Sequence, residues 1–206
     1  MAVATPLTRP SGSLFNVPIE PIWRLSIDQF HQMTRTGILN DDDPVELLEG
    51  WLVPKMPKNP PHRLTTQLTR EALQHLLPAH WHVNDQEPIT TTESEPEPDI
   101  TIVRGERRQY LERHPAPSEI ALVIEVSDTT LLRDRTSKKR IYARAGIPVY
   151  WIINLTERQI EVYTAPSPDT EFPDYQTRHD YQATESVSVL IEGREIGQLL
   201  VRDLLP

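Results

Sequence analysis

The chain has 206 residues, 37% hydrophobic and 25% charged, so it can bury one sizeable core but is short for two full domains. It contains no cysteine, which excludes disulfides and thiolate zinc sites. Its 21 basic and 30 acidic residues give a net charge of −9, which disfavours indiscriminate binding to nucleic acid but allows a local basic patch.

The first 20 residues are rich in proline, serine and threonine without periodicity, which predicts a flexible N-terminal arm. We expect residues 21–206 to form a single domain. No apolar run approaches the roughly 18 residues that a membrane span needs, and the N-terminus lacks an apolar secretory core. The sequence therefore predicts a cytoplasmic protein without a membrane partner.

Short helices and strands alternate in the first part of the predicted domain. Ser26 is a typical N-cap for a helix over 27–36. Two strands, expected to form a hairpin, are predicted over 45–48 and 50–55. Leucines at helical spacing predict a helix over 62–77, which Pro78 ends.

Apolar strands dominate the second part of the domain. The almost wholly apolar run 120–126 predicts a central strand, and 133–145 predicts a helix that ends at Gly146. Residues 166–182 are predicted to be a polar excursion. The other predicted strands are 81–84, 88–92, 99–103, 149–154, 159–163, 187–191 and 196–201, the last two forming a hairpin. This order predicts an α/β or α+β domain with a mixed sheet.

Two acidic residues border predicted buried strands. Asp99 opens one strand and Glu125 lies near the end of the central strand. A buried carboxylate is costly unless it is paired or bound to a metal. Two such acids from neighbouring strand ends suit a hard divalent cation, which prefers oxygen ligands. The alternative is that both acids are exposed or take part in ordinary salt bridges.

The predicted helix that follows the central strand adds a lysine near these acids. Lys138 and Tyr142 are four residues apart and share one helix face. A lysine beside two carboxylates could position a water molecule or stabilise charge that develops on a phosphate. Alternatively, this face is an ordinary solvated basic surface.

The same helix carries an unusual concentration of positive charge. Residues 133–144 hold six basic residues and one acid, a local charge of +5. A basic patch beside an acidic metal site is typical of proteins that bind phosphodiesters. The candidate phosphate-binding residues of this helix are Arg135, Lys139 and Tyr142.

Two residues from the first half of the chain are further candidates. Glu46, in a predicted strand, could be a third carboxylate that orients the lysine. His62, at the start of the long helix, could contact phosphate or transfer a proton. A surface acid in a hairpin and a structural histidine at a helix start are the alternatives.

A series of motifs in this chain resembles the Uma-type restriction endonucleases, a cyanobacterium-rich family of the PD-(D/E)XK nuclease superfamily. The resemblance runs from about residue 24 to the C-terminus, with the motif order preserved. The motifs are DDDPVELLEG (41–50), PPH (60–62), EPDI (97–100), LVIEVSDTTL (122–131), DRTSK (134–138) and YARAGIPVYWIINL (142–155).

The resemblance implies a restriction-endonuclease-like core, in which a mixed sheet is flanked by helices, with extra hairpins. It implies that Asp99, Glu125 and the backbone carbonyl of Val126 bind Mg²⁺ or Mn²⁺. Lys138 would take the place of the superfamily lysine, and Glu46 and His62 match the family's early acid and histidine. The superfamily's usual Glu-x-Lys is here Glu125-Val126-Ser127, so the lysine must reach the site from the following helix.

The resemblance also implies a function, namely a metal-dependent endonuclease that cleaves DNA through a metal-activated water, working as a homodimer. Two other functions stay open at this point. One is a catalytically silent module with the nuclease fold that binds nucleic acid or protein. The other is a hydrolase of a different phosphodiester, such as RNA.

Overall fold

The computed structural model of the protein describes residues 22–40 and 42–206, so the predicted N-terminal arm lies outside the described residues. The helices are α1 (Ile27–Arg35), α2 (Pro60–Leu76), α3 (Leu131–Arg133) and α4 (Lys139–Arg144), with a π-helical turn, Asp134–Lys138, between the last two. Short 3-10 turns occur at Arg107–Tyr110, Pro117–Glu119 and Val201–Asp203.

In the described part of the chain, ten strands form one large sheet and two hairpins. They are β1 (Val45–Leu48), β2 (Trp51–Pro54), β3 (Trp81–Asp85), β4 (Ile100–Arg104), β5 (Ile120–Ser127), β6 (Val149–Asn154), β7 (Gln159–Ser167), β8 (Asp174–Gln182), β9 (Ser186–Ile191) and β10 (Arg194–Leu200). The large sheet has the order β3-β4-β5-β6-β7-β8, and β1-β2 and β9-β10 are separate antiparallel hairpins.

The central strand is β5, as its apolar sequence predicted. All eight of its residues are buried, because neighbouring strands pair with both of its edges and other elements cover both faces. It runs parallel to β6 and antiparallel to β4, which makes the sheet mixed. The parallel step requires a crossover, which the helical segment from α3 to α4 provides. The predicted mixed-sheet fold class is therefore confirmed.

Side chains of β5 alternate between two apolar layers. Leu122 and Ile124 pack with Leu73 of α2 and with the β9-β10 hairpin. Val123, on the other face, packs with Ile141 and Tyr142 of α4. Because the side-chain period of a strand is two, Glu125 must point to the α4 face. This alternation decides which helix can reach the acid.

Two sequence predictions of strand content are wrong. Residues 88–92 form no strand in the structure; their backbone pairs irregularly, with Ile89 N–H donating to Pro96 O and Thr90 N–H to Pro115 O. The polar excursion predicted for 166–182 instead contains the nine-residue strand β8, which pairs antiparallel with β7. The backbone of β8 forms hydrogen bonds with β7, while most of its side chains lie outside the core. Its sequence therefore lacks the apolar pattern that would predict a strand.

The helices of the described part of the chain are short or polar. None of them is both long and apolar enough to cross a membrane.

A buried carboxylate stabilises the far half of the sheet. Glu161 of β7 is fully buried and accepts hydrogen bonds from Arg135, Asn154 Nδ2 at 2.9 Å and Tyr163 Oη at 2.7 Å. We expect Glu161→Ala to lower the free energy of unfolding by about 3 kcal/mol, because it leaves the arginine without its buried partner. Urea denaturation measures this change.

The matched control is Glu157→Ala, because Glu157 also contacts Arg135, at 3.1 Å, but lies near the surface. An exposed pair of this kind contributes less than about 1 kcal/mol. Equal losses in the two variants would contradict the assigned role of the buried carboxylate.

Candidate active site

The site predicted from the sequence corresponds to an open cleft at one end of β4 and β5. The cleft and the solvent at its mouth together occupy about 600 Å³. Its charged and histidine lining residues are Glu46, Lys55, Lys58, His62, Glu97, Asp99, Glu125, Asp128, Arg133, Asp134 and Lys138.

Strand register brings the first two acids together. Ile100 of β4 pairs with Ile124 of β5, so extending this antiparallel register by one residue places Asp99 opposite Glu125. Opposed residues of an antiparallel pair have side chains on the same face, about 5 Å apart. The backbone N–H of Val126 donates to Asp99 Oδ2 at 2.8 Å and fixes the aspartate against β5. Both carboxylates are buried at the wall of the cleft.

Lys138 completes a buried cluster around Glu125. Its Nζ lies 3.0 Å from Glu125 Oε1 and 2.9 Å from Glu46 Oε2, and all three side chains are almost inaccessible to solvent. Tyr142 Oη donates to the same Glu125 oxygen at 2.5 Å. The lysine therefore reaches the site although it is not two residues after the glutamate in the sequence.

The π-helical turn directs Lys138 into the cleft. Asp134 begins this turn, and its Oδ2 accepts hydrogen bonds of 2.6 Å from Ser127 Oγ and Thr130 Oγ1. These bonds tie the turn to the end of β5 and to the loop that follows it. Because π turns change the phase of a helix, this one alters which side chain faces the sheet.

The first turn of α2 and the loop before it each supply one group to Asp99. His62 Nε2 lies 3.1 Å from Asp99 Oδ2, and Lys58 Nζ lies 3.4 Å from Oδ1. Asn59 caps α2 by accepting from the His62 N–H at 3.0 Å, and its Nδ2 donates to Asp128 Oδ2 at 2.6 Å. Sequence reasoning missed Lys58; the helix-start signal Asn59-Pro60 beside it was the one available indication.

The charged groups shift each other's pKa values. Burial raises the pKa of Asp99, but His62, Lys58 and the Val126 N–H outweigh it and lower that pKa overall. Burial raises the pKa of Glu125 to about 8, against the opposing effect of Lys138. Burial lowers the pKa of Lys138, yet Glu125 and Glu46 raise it overall, so the ammonium stays protonated. A charged lysine thus faces a carboxyl group whose ionised form is disfavoured.

Three of the four candidate phosphate-binding residues are not positioned for that role. Arg135 hydrogen-bonds Glu161, and Lys139 Nζ lies 2.8 Å from Asp174 Oδ1; neither lines the cleft. Tyr142 is fully buried behind Glu125. The fourth residue, His62, lines the cleft.

The basic run 133–144 is not a free basic patch. Each of its cations pairs with an acid of this chain: Arg133 with Glu46, Arg135 with Glu157 and Glu161, Lys138 with Glu46 and Glu125, Lys139 with Asp174, Arg140 with Glu49, and Arg144 with Glu49 and Glu93. The local charge of +5 is therefore largely neutralised within the fold.

The cleft itself is acidic and its donor set suits one hard cation. With every carboxyl group counted as ionised, four lysine and arginine cations against six carboxylates leave a formal charge of −2. Over residues 22–40 and 42–206, no cluster of three or more His, Asp or Glu side chains is arranged to hold a metal ion. Mg²⁺ needs fewer side chains than that, because it is usually held by one or two carboxylates and keeps several waters. Asp99, Glu125 and the carbonyl of Val126 fit such a requirement.

A solved structure has the same fold. It is a crystal structure described as a putative nuclease of DUF820 from Anabaena variabilis, and it matches with a TM-score of 0.62 and 16% sequence identity. The match covers 87% of this chain and 97% of that one. At this identity the likeness establishes a nuclease-type fold and not an activity.

A match of the sequence to a family model identifies the family to which the chain belongs. The family model Uma2, described as "Putative restriction endonuclease", matches residues 27–198, and the chain belongs to this family. No curated protein matches the chain.

A pH-dependent stability is expected from Asp134. Burial raises the pKa of this carboxyl above its ordinary value of 3.8, although Ser127 and Thr130 oppose the shift. A raised folded-state pKa contributes stability below the unfolded pKa, and this contribution is lost as the pH rises through the folded value. Asp134→Asn should therefore remove the fall in the free energy of unfolding that this group causes as the pH rises. Urea denaturation at a series of pH values measures this dependence. A profile that still falls as in the unsubstituted protein would contradict the assignment.

Proposed function

We propose that the protein is a metal-dependent endonuclease that hydrolyses DNA phosphodiester bonds in the cytoplasm. The observation that carries the proposal is the convergence of Asp99, Glu125 and Lys138 in one cleft. These residues come from two strands and a helix. Membership of a family described as restriction endonucleases supports the same activity.

Each residue of the proposed active site would have a separate role. Asp99, Glu125 and the Val126 carbonyl would hold Mg²⁺ or Mn²⁺. The bound cation would supply an activated water and neutralise charge on the phosphate. Lys138 would stabilise negative charge that develops near Glu125, and Glu46 holds the lysine in place at 2.9 Å. His62 would orient Asp99, from which its Nε2 lies 3.1 Å.

The cleft charge supports the need for a cation. A formal charge of −2 repels a phosphodiester, and one divalent ion would offset it. The raised pKa of Glu125 also supports the need for a cation. A cation bound nearby would favour the ionised carboxylate, which burial disfavours.

Cleavage of supercoiled plasmid tests the activity. The purified protein should nick or linearise it with Mg²⁺ or Mn²⁺ and not with a chelator. Asp99→Asn and Lys138→Met should each lower the rate by roughly 100-fold, a typical loss for a group that stabilises developing charge. The control is Arg144→Met, which makes the same charge change as Lys138→Met outside the cleft and should cleave normally.

Each outcome of this assay has a meaning. Equal cleavage by all variants would contradict the assigned site. If the unsubstituted protein binds the plasmid DNA without cleaving it, the result would support the alternative function, a catalytically silent module with the nuclease fold. Faster cleavage of an RNA of the same sequence would move the substrate from DNA to RNA.

We further propose that residues 21–206 act as one domain and that two copies associate. One cleft carries one set of Asp99, Glu125 and Lys138, so cutting both strands in a single encounter takes two chains. Multi-angle light scattering should give twice the monomer mass at working concentration. A monomer that still linearises plasmid without a nicked intermediate would contradict the dimer.

A further inference from the structure

The lysines and arginines that line the cleft differ in how firmly they are paired. Lys138 lies between Glu46 and Glu125 at 2.9 and 3.0 Å, and Lys55 forms a close ion pair with Glu97. The other two, Lys58 and Arg133, have longer contacts to their acids. They are the cations that a ligand could recruit without breaking a short ion pair.

Lys58 makes only a long contact with its acidic partner. Its Nζ lies 3.4 Å from Asp99 Oδ1, beyond the usual range of an N–H···O hydrogen bond, and its side chain is 26% exposed. Asp99 already has closer partners in His62 and the Val126 N–H. Any cation that binds Asp99 would repel the ammonium group, and the flexible lysine stem allows it to move into the open cleft.

Arg133 has an unused donor. Across the described residues, its buried Nε has no hydrogen-bond partner. Its Nη1 donates to Pro54 O at 3.1 Å, and the nearest carboxylate oxygen, Glu46 Oε1, is 3.8 Å away. A small movement toward the cleft would give the guanidinium a partner for Nε as well, and phosphate is the group whose oxygens fit that two-donor edge.

The two side chains lie at opposite ends of one row of charged residues. The contacts run from Lys58 to Asp99, and from Glu125 through Lys138 and Glu46 to Arg133. Asp99 and Glu125 stand next to each other in this row, opposite one another in the strand register. A group bound over these two acids would therefore have Lys58 on one side and Lys138 on the other, with Arg133 further out beyond Glu46.

We propose that Lys58 and Arg133 bind the phosphodiester group of the substrate strand, and that Lys58 leaves Asp99 to do so when a divalent cation arrives. The proposal rests on the proposed function for its substrate. It assigns phosphate binding to Lys58, which lies outside the basic run 133–144, and to Arg133 at the start of that run. It also makes Lys58 a competitor of the cation in the absence of nucleic acid.

Binding measurements on the full chain test the first half of the proposal. Fluorescence anisotropy with a labelled DNA duplex and Ca²⁺ should show roughly tenfold weaker binding for Lys58→Met and for Arg133→Met. The slope of log affinity against log salt should fall by about one for each variant, the expected effect of losing one phosphate contact. Arg144→Met, with the same charge change outside the cleft, should keep the slope of the unsubstituted protein.

Cation binding tests the second half. Calorimetric titration with Mn²⁺ in the absence of DNA should show tighter binding to Lys58→Met than to the unsubstituted protein, because the competing ammonium is gone. Lys58→Arg should restore duplex binding. A residue that only stabilises the loop would weaken both ligands together or affect neither.

The outcomes separate this proposal from the proposed function. If the protein cleaves plasmid and both variants keep its duplex affinity and salt slope, the phosphate assignment is wrong and the nuclease stands. If it binds DNA through Lys58 and Arg133 but never cleaves, the assignment stands and the nuclease is wrong. No duplex binding at low salt overturns the assignment. Should a methionine variant melt early, Lys58→Gln or Arg133→Gln, which also removes the charge, replaces it.

Discussion

The buried ammonium group of Lys138 is the interaction on which the arrangement of the cleft depends. A charge removed from water is costly unless it is closely paired, and Lys138 has Glu46 and Glu125 within 3.0 Å. This requirement joins the first hairpin, the central strand and the π-helical turn. Loss of any of the three would leave a buried charge without its partner, so the cleft and this part of the fold form one unit.

Unfavourable electrostatic interactions lie together in the cleft, where the hydrolysis is proposed to take place. Burial disfavours the ionised form of Glu125, and Asp99, directly opposite in the register, disfavours it further. Outside the cleft, the cations of the basic helix face are paired with surrounding acids. An acidic chain with a paired basic face attracts a polyanion weakly, so specific recognition would have to occur at the cleft and with the help of a cation.

Positive charge in the sequence and positive charge available to a ligand are different things in this protein. Arg135 and Lys139 stand out in the sequence. In the structure, however, Arg135 forms an ion pair with Glu161, and Lys139 forms one with Asp174. Lys58 does not stand out, yet it lines the cleft with a long contact to Asp99. Which cation is available depends on the acids opposite it, and those come from distant parts of the chain.

The sequence by itself determined the strands that build the core, because a buried strand such as β5 needs an apolar run that is visible locally. It also determined that Asp99, Glu125 and Lys138 were the chemically unusual residues and that the chain resembles a nuclease family. Only the tertiary structure decided which residues meet. The polar strand β8 exists because β7 pairs with its backbone, and Lys58 reaches Asp99 because the cap of α2 places its loop over β4. These contacts are long-range, so a local pattern such as the helix start beside Lys58 does not reveal the partner.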